Sequence, residues 1–207
     1  MRTSNPQTRP LPARAHTDRP WRIHEIAPDF PLEDVWLLDT PGGPDDLARV
    51  VDLFARSEGY AENPAAYRLL MAIRWKLGSL LRLDRDETGV GTRVASVRDR
   101  LPSDLAGSAD VQVEGVPFES VFQTRDEYVA EIANRTVHAL LHLGWVEDES
   151  ESGVFRAQMA VLVKTNGLLG QGYMGFIKPF RYLIVYPALL RTIARRWAVQ
   201  EGPRLVA

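Results

Sequence analysis

The hydrophobic period of this chain changes near residue 165, and that change restricts its fold more than any other feature. In VFRAQMAVLVK, Phe155, Ala157, Met159, Val161 and Val163 share one parity, while Arg156, Gln158 and Lys164 share the other. A period of two with one apolar face is a strand covered on that face. Downstream, Leu169, Tyr173, Phe176, Phe180, Leu183, Pro187, Leu190, Ala194 and Trp197 recur at alternating steps of four and three, and all nine are apolar. That stripe predicts a long helix lying on a hydrophobic surface, kinked where Pro179 and Pro187 remove backbone hydrogen bonds. A strand followed by such a helix buries both apolar faces if the helix packs on the sheet.

The strands that would complete the sheet precede it. VPFESVFQT places Phe118, Ser120 and Phe122 on one side, and EYVAEIA places Tyr128, Ala130 and Ile132 opposite Glu127 and Glu131. TVHALLHLGWV sets Val137, Ala139, Leu141, Leu143 and Trp145 on one face. Short turns (TRDE, a turn at Asn134, and the acidic EDESESG) join these segments, so an antiparallel meander is expected. One face is uniformly apolar and the other mixed, as in a sheet covered on one side.

The first half reads less regularly. Trp21, Ile23 and Ile26 suggest a short strand ended by Pro28, and PLEDVWLLDT a helical turn or two before the Pro41-Gly42-Gly43-Pro44 loop. Leu47, Val50, Val51 and Phe54 have helical spacing behind Asp45 and Asp46, and Asn63-Pro64 opens a second helix carrying Ala66, Leu69, Leu70, Ile73, Leu77, Leu80 and Leu81. TRVASVR reads as a further strand. Residues 1–20 hold four Pro, four Arg and no apolar run, which predicts a disordered arm ahead of a single domain at residues 21–200.

Composition narrows the function. With Lys+Arg 25 against Asp+Glu 27, no global field attracts nucleic acid. The absence of Cys removes disulfides, thiolate nucleophiles and Cys-based metal sites. YLIVYPALL is too short to span a bilayer and is flanked by Arg181 and Arg191, so no membrane span and a cytoplasmic location are expected.

GQGYMG, Gly170 to Gly175, has the G-x-G-x-x-G spacing of a dinucleotide loop. Such a loop needs a parallel strand after its helix and an acidic residue about twenty positions on. Here the next acidic residue is Glu201 and the chain given ends at Ala207. We therefore read Gly170, Gly172 and Gly175 as allowing close helix–sheet packing, and no cofactor is expected. His138 and His142, four apart, would lie about 13 Å from each other along a strand, too far to share a metal ion. They read as residues of the mixed outer face, or as a homodimer contact made with Leu140 and Leu162, whose apolar character there requires a cover. No metal site is assigned. Sequence signatures of hydrolytic nucleophiles, H-E-x-x-H and the P-loop are absent.

Parity places Ser96, Arg98, Ser120, Thr124 and Tyr128 on the apolar face. A few polar groups in an apolar cavity is the usual make-up of a small-molecule site. The candidate lining is Trp36, Ser96, Arg98, Ser120, Phe122, Tyr128, Trp145 and Tyr173.

The segments IANRTVHALLHLGWV and VFRAQMAVLVKTNGLLGQGYMGFIKPFRYLIVYPALLRTIARRW resemble the C-terminal half of the bacterial family DUF2867. The likeness spans about Glu127 to Trp197. It rests on the Asn166-Gly167-Leu168-Leu169-Gly170 turn, the Lys178-Pro179-Phe180 step and Leu189-Leu190-Arg191. Asn134-Arg135-Thr136 departs from the acidic pair and Arg-His that many relatives carry. The resemblance implies an α+β helix-grip fold (START/Bet v 1-like, SRPBCC): a curved antiparallel sheet packed on a long C-terminal helix. Such folds commonly enclose a cavity, so binding of a hydrophobic small molecule between sheet and helix is the leading expectation. The alternatives are a cofactor-free cyclase, aromatase or dehydratase on a polyketide- or lipid-like substrate, using Tyr128, Arg98 or a histidine, and a non-catalytic dimerising module.

Overall fold

β5 (Val137–Glu147) and β6 (Phe155–Thr165) pair antiparallel over their whole length, from Val137 opposite Thr165 to Glu147 opposite Phe155. This hairpin is the spine of a computed structural model that describes residues 8–55, 89–91, 94–108, 118–133, 137–167, 175, 182 and 186–201. Around it stand β1 (Arg9–Pro10), β2 (Leu32–Leu37), β3 (Glu119–Gln123) and β4 (Glu127–Ala133), giving a six-stranded sheet in the order β1-β2-β6-β5-β4-β3. Every pairing in it is antiparallel. The predicted meander of β3 to β6 is present, with a register shift in β3 between Ser120 and Phe122.

The expected apolar face is packed by helices. α3 (Leu47–Ala55) and the C-terminal α4 (Tyr186–Glu201) bring Leu47, Val50, Val51, Leu190, Ile193 and Trp197 against Tyr128, Leu143, Trp145, Ala157 and Met159. Arg49 of α3 lies 3.8 Å from the Trp197 ring centroid and donates to the Trp197 carbonyl at 3.1 Å, tying the two helices together. Pro187 lies within α4, and the three residues before Tyr186 lie outside the described residues. Most of the stripe upstream of Tyr186, including Tyr173, lies outside the described residues, as does the helix expected at residues 63–81. Gly170 and Gly172 lie there too. At Gly175, which is exposed, an added Cβ meets nothing within 4 Å among the described residues, so close helix–sheet packing does not account for that glycine.

Four expectations are corrected. Trp21 to Ile26 is not a strand: α2 (Arg22–Ile26) turns Ile23 and Ile26 onto the sheet, a spacing that fits one helical turn as well as a strand. Leu32 to Leu37 is a strand, because pairing with β6 (Val35 opposite Ala160) overrides local preference. Most of TRVASVR is not a strand; Ser96 instead caps a 3₁₀ turn, Val97–Arg100, by accepting the Arg98 N–H at 3.0 Å. Finally, part of the supposed arm is ordered: residues 9–17 form β1 and α1 (Arg14–Thr17).

The mixed face of the sheet is also covered. Trp21, Ile23, Ile26, Ala27 and Phe30 pack over Val129, Leu140, Ala160 and Leu162, with Val97 and Leu105 alongside. Burying each large apolar side chain there stabilises the fold by about 1.5–3 kcal/mol. Gly144 of β5 admits this layer, since a Cβ there would stand 2.7 Å from Trp21 Cζ2.

Candidate functional site

Glu127 and Glu131 are four apart on β4, and His138 and His142 are four apart on β5. The register places Glu127 opposite Gly144 and Glu131 opposite Leu140, so each glutamate meets the histidine two residues away on the diagonal. His138 Nε2 lies 2.8 Å from Glu131 Oε2, and His142 Nε2 lies 3.3 Å from Glu127 Oε2. All four side chains are buried beneath the N-terminal layer.

The remaining two histidines of the chain extend one of these pairs. His16 of α1 sets Nε2 3.1 Å from His142 Nδ1, and His24 of α2 sets Nε2 3.1 Å from His16 Nδ1. Glu127 also accepts the Arg22 backbone N–H at 2.7 Å. With Glu127 as acceptor, His142 donates from Nε2 and accepts at Nδ1 from His16 Nε2, and His16 in turn accepts at Nδ1 from His24 Nε2. The result is a linear chain, His24–His16–His142–Glu127, running from a half-buried ring to a buried carboxylate. Each of His16 and His142 directs its two nitrogens to different neighbours. Among the described residues no group of three or more His, Asp or Glu is placed to hold a metal ion.

Burial is the main cause of the electrostatics. It lowers His16 to about 3, with His142 and His24 adding repulsion, so His16 is neutral at ordinary pH. His24 is lowered chiefly by burial and by His142, partly offset by Glu127 and a bond to the Arg19 backbone. At Glu131, burial pushes the carboxyl up, but bonds from His138, Ser96 and the Val97 N–H, the last at 3.0 Å, hold it below the ordinary value.

The seven predicted lining residues that are described do not converge. Trp36, Tyr128 and Trp145 belong to the α4 side. Phe122 packs in the opposite cluster. Ser96 donates to Glu131 beneath that same layer, and Arg98 is exposed, donating from Nε to the Ser120 carbonyl at 2.5 Å. Ser120 and Tyr128 share a buried hydroxyl–hydroxyl bond of 2.7 Å, and burial raises the Tyr128 phenol. Trp145 donates to the Gly43 carbonyl at 2.8 Å. Tyr173 lies outside the described residues. The dimer face is corrected as well: His138, Leu140, His142 and Leu162 are at most 4 % exposed, covered by the chain's own residues 21–30. The matched spacing of EYVAE and HALLH on neighbouring strands was the signal for the two His–Glu pairs; nothing local pointed to His16 or His24.

Two hollows flank this N-terminal layer. One, of about 140 Å³, lies at the edge of β2 between Leu11, Leu32, Trp36 and Tyr182. The other is an open groove of about 710 Å³ between α1 and the β5–β6 turn, with Leu37, Val146 and Gln158 among its lining.

Residues 26–188 match a family described as Protein of unknown function (DUF2867). The chain belongs to the DUF2867 family. No curated protein and no solved structure matches it. The DUF2867 match contains both His–Glu pairs, whereas His16 and His24 precede it. Among the described residues of this DUF2867 protein, no helix is long and apolar enough to cross a membrane.

Proposed function

We propose that this DUF2867 protein, in a helix-grip arrangement, binds a small apolar molecule at the β2 edge of its sheet, beside Trp36 and Tyr182. The observation that carries the reading is Trp36. Its indole Nε1 is buried with no hydrogen-bond partner among the described residues, and the side chain lines the 140 Å³ hollow. An unpaired buried donor costs about 1–3 kcal/mol, which a ligand acceptor would recover. The hollow is of a volume that takes a benzene-sized molecule. Tyr182 is tilted against Trp36 and Tyr186 meets it edge-on, at centroid distances of 5.9 and 5.3 Å, and Glu33 and Asp34 complete the polar rim of the hollow. Tyr186 donates to the Asp34 carboxylate at 2.9 Å, leaving an apolar ring surface toward Trp36. The ligand class is an aromatic or alicyclic compound bearing one carbonyl.

The test follows the Trp36 indole resonance in a ¹⁵N-labelled sample titrated with acetophenone and with ethylbenzene. Both should shift it, and by calorimetry Trp36→Phe should weaken acetophenone by about tenfold while leaving ethylbenzene unchanged. If neither compound perturbs Trp36, the reading fails.

The enzymatic alternative rests on the Ser120–Tyr128 pair. Burial holds the phenol protonated, so it would serve as an acid toward a ligand oxygen. The histidines do not serve that reading, since they lie on the other face of the sheet.

A further inference from the structure

Residues 9–19 are held to the rest of the molecule by few contacts. Both residues of β1 are exposed, and α1 is four residues long. The only side chain that α1 buries is His16, 0 % exposed. Among the described residues the other attachments are the two-residue β1–β2 pairing, the Leu11 N–H to the Val35 carbonyl at 2.9 Å, Leu11 packed at the rim of the core, Gln158 Nε2 to the Ala15 carbonyl at 3.1 Å, and Arg19, whose carbonyl accepts the Trp21 N–H at 2.8 Å and whose side chain lies over the Trp21 ring. A helix this short has no independent stability. The segment's one buried anchor is therefore an imidazole that fits its seat only when neutral: Nδ1 must accept from His24 while Nε2 donates to His142.

We propose that residues 9–19 form a proton-released strap, closed over the sheet edge while His16 is neutral and freed on acidification with the sheet still folded. A proton on His16 would occupy the nitrogen that accepts from His24, obliging His24 to shift its own proton to Nδ1, and would set a fully buried cation among other imidazoles. Among the described residues the groups facing His16 are His24 from α2, His142 from β5, Glu127 beyond it from β4, and the Trp21 ring. Arg19 stands over the Trp21 ring, 5.9 Å from its centroid. Glu127 is the sole carboxylate of the set, and it already accepts from His142 and two backbone N–H groups. The layer beneath differs in kind, because residues 21–30 are anchored by Trp21, Ile23, Ile26 and Phe30, none of which titrates. Acid therefore removes the strap first. Its residues wall both hollows, Pro10, Leu11 and Ala13 the smaller and Arg9, Pro12, Arg14 and Ala15 the larger, so release opens both. The inference stands whether or not the smaller hollow binds a ligand.

Hydrogen exchange of the full-length protein, corrected for intrinsic rates, tests it between about pH 7.5 and 4.5. His16 gains its proton only in the open state, so protection of residues 11–19 should fall by about tenfold per pH unit below 6.5, while β5 and β6 keep theirs. His16→Gln keeps a neutral donor and acceptor at the seat and should make strap protection independent of pH over this range. A strap that loses protection only in step with the strands, or a His16→Gln variant with the wild-type pH profile, would overturn the proposal. If glutamine leaves the strap open at every pH, the wild-type comparison of strap and strand still decides.

Discussion

Glu131 and His138 meet at 2.8 Å between β4 and β5, with side chains 0 and 5 % exposed, on the face of the sheet turned away from α4. The carboxylate also takes the Ser96 hydroxyl and the Val97 N–H, so a single buried anion fastens a strand pair to the 3₁₀ turn beyond it. An amide here turns one of the two acceptor oxygens into a donor, so either the Ser96 hydroxyl or the His138 and Val97 N–H groups lose their acceptor. Glu131→Gln is expected to destabilise the fold by about 1–3 kcal/mol, read as a lower urea midpoint. Exchange protection should fall first at Val97 and Leu101. An unchanged midpoint would mean that the pair contributes nothing net.

Gly144 carries a steric prediction. A Cβ at this position would stand 2.7 and 2.9 Å from two atoms of the Trp21 ring and 3.1 Å from His142 Cε1. Neither ring can yield without disturbing the N-terminal layer, because His142 is held at both nitrogens. Gly144→Ala should cost about 1–3 kcal/mol and alter Trp21 fluorescence. Gly144→Ala with Trp21→Leu should recover part of that loss, since the clash is with the indole.

Trp197 closes the opposite face. It is 1 % exposed, donates to the Pro41 carbonyl at 2.8 Å, and lies 6.1 Å from the Trp145 ring. Trp197→Ala should cost about 3–5 kcal/mol by calorimetry or urea unfolding. Trp197→Phe should cost less, because it keeps most of the contact and loses the bond to Pro41.

Acid acts on the rest of the fold in a lower window than on the strap. Asp148 is brought down to about 2 by Ser150 and Arg156 against the opposing effect of burial, and Glu131 is below its ordinary value as well. A depressed carboxyl contributes stability that is present above its unfolded value and lost as pH falls toward the folded one. The sheet should therefore lose stability from about pH 4.5 downward, with the Asp148 part lost between 3.8 and about 2. Urea midpoints measured across this range should show the decline, and Asp148→Asn should lower the midpoint at neutral pH while making the acid limb shallower.

The strands from β3 to β6 and the helix on their apolar face are legible in the residues alone. Phe155 to Val163 and Leu143 to Trp145 alternate, and α4 repeats its apolar positions at helical steps, so the periods report which side chains share a face. A period does not report what covers a face. Leu140 and Leu162 on the mixed side called for a cover, and the expected one was a second copy of the chain. Tertiary structure supplied residues 21–30 of the same chain instead, with Trp21, Ile23, Ile26 and Phe30 burying their own apolar surface there. The polar residues of that face read as solvated for a sound reason: a buried charge is costly unless paired. Their partners could not be found locally, since His16 lies 126 positions from His142 and only the folded sheet brings them to 3.1 Å. Periodicity, a local property, set the sheet and its helix; the histidine chain and the strap it anchors depend on contacts between distant residues and exist only once the chain has folded.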